Sequence, residues 1–331
     1  MREKYIIDYQ IGDNISNFFV IDVSGSIDLK KNNAPYGKLV ISDKTGSLDC
    51  RYWDIKNTEE ELNKFKNLTA GTIIKVIGEI KLNSYNGEDN LQLIIKEYSL
   101  PSKDDKIDES DLYKVSPIDP EIVYNRIIEI INTQIEDESY KTICNKIYDS
   151  YKEKLINWPA AQIKHHNYKG GLLWHTYRML LMAINATNVY TNINKSLLLA
   201  GTALHDIGKL YEFDINKCGK VEDYTLEGKM LGHLMLGTMT IINTIKSNKI
   251  EISKEKKLLL EHMITAHHGK LEWETIKKPE IIEAYILHML DKLDADLEQI
   301  QTSLEKVDNN RFATNKSIND TKFYKPTFYD E

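Results

Sequence analysis

The hydrophobic pattern of this 331-residue chain changes at about residue 100, and that change limits the folds open to it more than any other feature. Before it, apolar residues alternate with polar ones in short β-branched runs, which is the period of half-buried strands. From residue 117 onward, apolar residues recur three and four positions apart, as in amphipathic helices. Residues 101–116 begin with the polar, mostly acidic stretch PSKDDKIDESD and are predicted to be a linker. The sequence therefore predicts two domains of different class.

Residues 1–100 are predicted to form a small all-β barrel. A short helix is expected over 58–68, between the third and fourth strands, and Gly78 is expected to mark a bulge or bend. Five strands with one helix in that place are typical of the Greek-key barrel called the OB-fold. The strand-like runs are 18–29, 37–54 (two strands around the turn Asp43-Lys44-Thr45-Gly46), 71–82 and 91–100 after a turn at Asn86-Gly87.

Residues 117–308 are predicted to form an all-α helical bundle. Asp119 is placed to cap its first helix, with Pro120 at the first helical position. Residues 309–331 are polar with scattered aromatic residues and are predicted to be an irregular tail. Helices are predicted over 119–135, 138–155, 171–190, 195–212, 225–247, 253–268 and 279–306.

Composition argues against several classes of protein. No stretch approaches the roughly 18 apolar residues of a transmembrane helix, and the N-terminus lacks a signal-peptide pattern, so a cytoplasmic protein without membrane contact is expected. Cys50, Cys144 and Cys218 lie far apart, which suits neither a disulfide framework nor a thiolate zinc site. The net charge of −7 argues against bulk electrostatic binding of nucleic acid, although not against a local basic track.

All nine histidines fall between residues 165 and 288. His205 and Asp206 end an apolar run, LLLAGTAL, and Asp291 closes another. A buried carboxylate without a partner is costly, so a lysine, a hydrogen-bond network or a metal ion has to satisfy it. Imidazole nitrogens with carboxylate oxygens suit first-row divalent metals such as Mn, Fe, Co or Zn. A carboxylate available to bridge suggests two ions about 3.5–4 Å apart.

The order of these residues resembles the HD-domain phosphohydrolase superfamily in its two-metal form. The local sequences GGLLWHT, ALHDIGK, EGKMLGH, HHGK and ILHMLDKLDA carry the resemblance. An OB-fold placed before an HD domain resembles, more narrowly, the bacterial YhaM-type 3′→5′ exoribonucleases over nearly the whole chain. The matching positions are His175, His205, Asp206, His233, His267, His268 and Asp291.

The resemblance implies a role for each of these positions. Asp206 would bridge the two metals, and which of His267 and His268 binds metal stays open. The minimal ligand set would be His175, His205, Asp206 and Asp291, completed at the second metal by His233, His267 and His268.

Other residues near the motifs have predicted roles outside metal binding. The resemblance also implies that Lys209 contacts the substrate phosphate. His166, in the turn-like stretch HHNYKGG, is expected to reach the phosphate or the leaving group. Asp294, one turn beyond Asp291, either faces the site, faces solvent or makes an N-terminal hydrogen bond. Packing or structural roles are expected for His165, His262 and His288.

On the barrel, base stacking requires exposed aromatic rings beside cations. The candidates for nucleic-acid binding are Phe19, Tyr36, Tyr52, Trp53 and Tyr85, with Lys38, Arg51 and Lys81.

The resemblance therefore implies a metal-dependent 3′→5′ exoribonuclease that hydrolyses single-stranded RNA to nucleoside 5′-monophosphates. Two divalent cations are expected, with Mn first and Co, Fe, Zn or Mg as alternatives, and the resemblance implies a homo-oligomer. Three alternatives stay open: a hydrolase of nucleotides or cyclic dinucleotides, a nuclease acting on single-stranded DNA, and an OB-fold nucleic-acid-binding factor whose helical domain is a scaffold. Product length and polarity on labelled RNA and DNA would separate them.

Overall fold

Alternating burial along the N-terminal strands places every second side chain in a common core. In the second strand Leu39 and Ile41 are buried, whereas Lys38 and Val40 are partly exposed. The strands close into a barrel of order β1-β2-β3-β5-β4, antiparallel except for β3 beside β5. Their bounds are β1 (Asn14–Leu29), β2 (Pro35–Asp43), β3 (Gly46–Tyr52), β4 (Ile73–Tyr85) and β5 (Glu88–Ser99).

The computed structural model divides into two compact units, residues 1–115 and 116–331. The residues that it describes are 4–85, 88–108, 111–113, 116–161, 168–216, 219, 221–273, 275–305, 307, 311–315, 318 and 320–327.

The first unit confirms the predicted OB-fold. Helix α1 (Glu59–Lys66) lies between β3 and β4, and its Phe65 is fully buried in the barrel core. The β4–β5 register shifts between Ile77 and Gly78, at the predicted bulge. The predicted turn at Asn86-Gly87 lies outside the described residues.

The second unit packs its helices around one apolar core. Its first helix begins as predicted, because the Asp119 carboxylate accepts a hydrogen bond from the Glu121 N–H at 2.7 Å and Pro120 is the first helical residue. Within the described ranges, no helix is long and apolar enough to cross a membrane. The helices are α2 (Pro120–Gln134), α3 (Glu138–Asn157), α4 (Gly171–Val189), α5 (Lys195–Leu204), α6 (Lys209–Glu212), α7 (Leu226–Ser247), α8 (Lys254–Ala266) and α9 (Ile282–Glu305).

The prediction of one continuous helix over 195–212 is wrong. Helix α5 ends at Leu204, and α6 begins at Lys209 after a tight turn. Within that turn the backbone bonds shorten to three-residue spacing, as in Ile207 N–H to Leu204 O at 3.1 Å and Lys209 N–H to Asp206 O at 3.0 Å. The turn sets His205 and Asp206 at the end of the buried run.

Two short hairpins, absent from the sequence-based prediction, accompany the helices: β6 (Phe213–Ile215) with β7 (Val221–Tyr224), and β8 (Phe312–Asn315) with β9 (Thr321–Tyr324). The β8–β9 hairpin lies in residues 309–331, which were predicted to be irregular, so the prediction is wrong for these two strands. Phe312 and Tyr324 pair across its strands with ring centroids 5.1 Å apart, and Asn315 donates to Ser303 of α9 at 3.3 Å. These contacts order a segment whose sequence lacks clear alternation.

Cys50 and Cys144 are buried free thiols, one in each unit. Cys218 lies outside the described residues.

Candidate metal centre

Five segments of the helical unit bring the seven predicted ligand side chains together. Helix α4 carries His175, α7 carries His233, and α9 carries Asp291. The turn after α5 supplies His205 and Asp206, and the residues directly after α8 supply His267 and His268.

The ligand atoms form two groups. His175, His205 and Asp206 have ligand atoms within 4.8 Å of one another, and so do His233, His267 and His268. In the first group the Nε2 atoms of His175 and His205 are 3.2 Å apart. In the second group the Nε2 atoms of His233 and His268 are 3.1 Å apart. Asp291 joins the first group, with Oδ1 at 3.3 Å from His175 Nε2.

Asp206 lies between the two groups. Its Oδ2 is 3.3 Å from His205 Nε2. Its Oδ1 is 3.6 Å from His233 Nε2 and 3.6 Å from His267 Nε2. One carboxylate therefore faces each group with a different oxygen, which is the arrangement that a bridging ligand requires.

The second nitrogen of each imidazole has a fixed acceptor. For three of the rings that acceptor is a backbone carbonyl, which only accepts, so Nδ1 carries the proton and Nε2 presents its lone pair to the site. The Nδ1 atoms of His175 and His233 meet carboxylates, those of Asp294 at 2.7 Å and Glu212 at 3.0 Å. The carbonyl acceptors are Thr202 O at 2.8 Å from His205, Ile264 O at 2.8 Å from His267 and Trp273 O at 2.7 Å from His268.

This arrangement fits a divalent cation. In each group two Nε2 atoms lie 3.1–3.2 Å apart, so a proton or a cation has to lie between them. Asp206 Oδ1 and His267 Nε2 are also buried with no hydrogen-bond partner in the part of the chain that the structure describes. Neutral imidazole nitrogens and carboxylate oxygens are the donors that first-row divalent metals prefer.

The charges favour the same conclusion. Burial raises the pKa of the Asp206 carboxyl, but Lys209 and His205 outweigh it and hold that pKa well below its usual range. Burial lowers the pKa of His175, but the hydrogen bonds that its ring donates to Asp291 and Asp294 outweigh burial and raise the pKa to about 10. The carboxylates around His175 therefore attract positive charge, and a divalent cation would bind there in place of the His175 proton.

His268 differs from His175. Burial, together with the neighbouring His267 and His233, lowers the pKa of His268 to about 3, so its ring is neutral near pH 7. A neutral imidazole is the form that binds a metal.

Lys209 lies beside the centre. Its Nζ donates to Asp206 Oδ2 at 2.7 Å, and only 12% of its side chain is exposed. Burial lowers its pKa, but Asp206 outweighs that effect and raises it, so the ammonium stays charged. A side chain on Gly208, which precedes it, would place Cβ 2.0 Å from His233 O, so a glycine is needed where this turn meets α7.

Two positioning features were missed in the sequence. Glu212 holds His233 twice, since its Oε1 accepts from the backbone N–H and from Nδ1, both at 3.0 Å. Helix α7 is kinked at Gly232, whose φ of 66° and ψ of 161° are accessible almost only to glycine, so His233 is redirected. Neither feature can be predicted from the spacing of apolar residues, because both depend on contact between α6 and α7.

Asp294 accepts a hydrogen bond from Nδ1 of His175, the ring nitrogen that faces away from the metal centre. Besides accepting from His175, it pairs with Arg178, whose Nε is 2.7 Å from Asp294 Oδ1. Asp294 therefore orients an imidazole.

The remaining histidines lie elsewhere. His262 Nε2 accepts from the Glu280 N–H at 2.9 Å, and His288 Nδ1 donates to His267 O at 3.0 Å. Both bonds are structural. His165 and His166 lie outside the described residues, so the role predicted for His166 stays a prediction.

On the barrel, the structure groups some of the nucleic-acid candidates. Tyr36 stacks on Trp53 with ring centroids 4.5 Å apart. Lys38 Nζ lies 6.0 Å from the Tyr36 ring, and Lys30 Nζ lies 5.5 Å from the Trp53 ring. Lys30 was not predicted, because its place beside Trp53 depends on the closure of the barrel.

Other barrel candidates are less available. Phe19 is 0% exposed in the barrel core, so its prediction as a stacking residue is wrong. Tyr52 packs against Phe65 and Tyr98, with centroid distances of 6.0 and 5.7 Å. Of the remaining candidates, Arg51 donates to Cys50 O at 2.9 Å, Lys81 Nζ lies 3.6 Å from Glu79, and the Tyr85 side chain is outside the described part.

Comparison with known proteins agrees with both units. The model of the OB-fold nucleic acid binding domain family tRNA_anti-codon matches residues 15–101, and that of the HD domain family matches residues 172–296. The chain thus joins an OB-fold barrel to an HD-domain metal hydrolase. The curated 3′-5′ exoribonuclease YhaM of Geobacillus sp. (strain WCH70) is 33% identical over 327 residues, which is 98% of this chain and 96% of that protein. The chain belongs to the YhaM family of 3′-5′ exoribonucleases, as the sequence motifs predicted.

Among solved structures, two single-stranded DNA-binding domains match 27% of this chain. The SSB domain of a Synechococcus sp. protein is 12% identical, with 96% of that chain covered and a TM-score of 0.22. Rim1, the mitochondrial single-stranded DNA-binding protein of S. cerevisiae, is 17% identical, with 95% covered and a TM-score of 0.22.

Proposed function

We propose that this chain is a metal-dependent 3′→5′ exoribonuclease that shortens single-stranded RNA and releases nucleoside 5′-monophosphates. The observation that carries the proposal is the Asp206 carboxylate, which faces a separate group of histidine Nε2 atoms with each of its oxygens. Family membership supports the same reaction class.

The proposed ligands divide between two divalent cations, with manganese as the first candidate. His175, His205, Asp206 and Asp291 would hold one ion, and Asp206, His233, His267 and His268 the other. Bound divalent cations supply an activated water for attack on phosphorus and neutralise charge on the phosphate.

The chain's own residues prepare this chemistry. Asp294 and Glu212 hold the rings of His175 and His233, so that their Nε2 atoms face inward. The Lys209 ammonium, charged and mostly buried, is placed to stabilise the negative charge that develops on the non-bridging phosphate oxygens. Because it is held by Asp206, little reorganisation is needed when the phosphate enters.

The barrel is proposed to hold the single strand upstream of the cleaved bond. The candidates for this role are the exposed Trp53 and the partly exposed Lys30, Tyr36 and Lys38. Arg51 and Lys81 are further candidates. Assembly into a homo-oligomer and a cytoplasmic location stay predictions.

The direct test is to incubate the protein with Mn²⁺ and 5′-end-labelled single-stranded RNA or DNA of the same sequence. The RNA should shorten from its 3′ end one nucleotide at a time, with nucleoside 5′-monophosphates as products. Asp206→Asn should abolish shortening, because the variant loses the charged bridge. Asp149→Asn, at an exposed position on α3, is the matched control and should retain activity.

Normal degradation by Asp206→Asn would contradict the proposal. So would cleavage of free nucleotides or cyclic dinucleotides with no action on the RNA.

A further inference from the structure

An exposed tryptophan lies directly beside the metal centre. Trp273 ends a short 3-10 turn, Leu271–Trp273. It lies three residues after Lys270, the last residue of the HHGK motif. Its side chain is 39% exposed, although indole is among the most favourable groups to bury. Its backbone carbonyl accepts the Nδ1 hydrogen bond of His268 at 2.7 Å. The position of the indole is therefore tied to a proposed metal ligand.

Two lysines place ammonium groups at this ring. Lys270 Nζ lies 4.4 Å from the Trp273 ring centroid, and Lys292 Nζ lies 5.7 Å from it. Lys292 directly follows Asp291 on α9 and also pairs with Asp296. Lys270 has its side chain 54% exposed, with the Glu272 carboxylate only at 3.8 Å. These are cation–π distances. Lys270 is held only loosely by Glu272, so its ammonium can turn to another anion, whereas Lys292 is already closely paired with Asp296.

A third residue supports the indole from the protein side. The His288 ring lies 5.9 Å from the Trp273 ring, at 48° to it. His288 Nδ1 in turn donates to His267 O at 3.0 Å. The ring thus lies next to the two chain segments that supply His267, His268 and Asp291, and it is partly exposed.

An exposed aromatic ring beside cations is an arrangement that binds single-stranded nucleic acids, with the base on the ring and the phosphate near the cation. We propose that Trp273, with Lys270 and Lys292, is a stacking platform for a nucleobase of the strand at the mouth of the metal centre. The proposal rests on the function proposed above. Because every base offers a π-face, the platform should act with little preference for base identity.

Kinetics on two substrates test the platform in the full-length protein. Trp273→Leu should raise KM for a single-stranded oligoribonucleotide about 5- to 150-fold, the loss expected when one base–aromatic stack is removed. Trp273→Phe should restore most of that loss, because a phenyl ring still stacks. Trp273→Leu should lower kcat/KM more for the oligonucleotide than for bis(p-nitrophenyl) phosphate. The small diester does not extend to the platform, so its hydrolysis does not depend on stacking.

The lysines have a matched control on the same segment. Lys270→Ala should raise KM for the oligonucleotide, whereas Lys277→Ala should leave it unchanged. Lys277 has a similarly exposed side chain, which pairs with Glu280 at 3.0 Å.

Binding without turnover gives a second measurement. In the Asp206→Asn protein, addition of the oligonucleotide should quench tryptophan fluorescence, and introducing Trp273→Phe should remove part of that quenching. Equal loss of kcat/KM on both substrates in Trp273→Leu, or quenching unaffected by Trp273→Phe, would overturn the platform.

The two proposals fail differently. If the wild-type protein shortens RNA but Trp273→Leu has an unchanged KM, the platform is wrong and the exonuclease stands. If the wild-type protein does not shorten RNA while quenching still depends on Trp273, the nuclease assignment is wrong and the stacking platform is supported.

Discussion

Glu212 shows how a single residue outside the ligand set can control the metal centre. Its Oε1 accepts from both the backbone and the ring of His233, so that the Nε2 atom of this ring points at Asp206. A carboxylate that accepts from a ligating imidazole also increases the basicity of the ring. The residue therefore acts through His233.

We expect Glu212→Ala to weaken metal binding about 10- to 100-fold, the usual effect of removing such a partner. Glu212→Gln keeps an oxygen acceptor and loses only the charge, so its effect should be smaller. Titration of the metal-free protein with Mn²⁺ by calorimetry measures both. Glu222→Gln, at an exposed position on β7, is the control, and equal affinity of Glu212→Ala and wild type would refute this role.

Asp137 makes helix α3 depend on one carboxylate. Asp137 accepts from the N–H groups of Ser139 at 3.0 Å and Tyr140 at 3.3 Å, and Lys256 of α8 lies 2.5 Å away. Burial raises the pKa of Asp137, but the hydrogen bonds from Lys256 and Ser139 outweigh it and lower the pKa below 3.8. One residue therefore caps α3 and links it to α8.

Asp137→Ala should lower the free energy of unfolding by about 0.5–2 kcal/mol, the cost of a lost N-cap. Asp137→Asn keeps the cap and loses the ion pair, so it should cost less. Because the folded pKa is lowered, the stabilisation is present above the unfolded value near 3.8 and is lost as the pH falls through the folded pKa. Urea denaturation should therefore show a smaller difference between wild type and Asp137→Asn at pH 2.5 than at pH 7.

At this scale, local chemistry explains which elements the sequence could predict. The cap at Asp119 and the bulge at Gly78 depend on neighbouring residues, and both were found. The break after Leu204 and the kink at Gly232 were missed, because each arises where α6 meets α7. The stacking role predicted for Phe19 was wrong because a strand pattern does not tell which face becomes the closed interior of a barrel.

For the whole molecule, the order of motifs along the chain was more informative than any single motif. The ligand positions run from His175 to Asp291, and the fold brings them together from five segments. The residues that orient them, such as Glu212, are visible only once the fold is known. A metal at this centre would cross-link α4, α7 and α9 with the residues that follow α5 and α8.

Loading with metal should therefore raise the melting temperature of the helical unit. At a free Mn²⁺ concentration 100 times its Kd, the stabilisation is about 2.7 kcal/mol, which corresponds to about 5–10 °C in a unit of this size. Scanning calorimetry with EDTA and with Mn²⁺ measures the shift. Asp206→Asn should lose most of it and Asp149→Asn should keep it, whereas an equal shift in both variants would place the metal elsewhere.

The spacing of the ligand residues along the chain has a consequence for the order of folding events. Because loop closure over such separations is entropically unfavourable, the ligands meet only after the helices have packed. A cation would then arrive late and select the native state, and it would slow unfolding more than it speeds folding. Until it arrives, packing and the hydrogen bonds at Nδ1 must hold the imidazole rings of the newly folded chain close together.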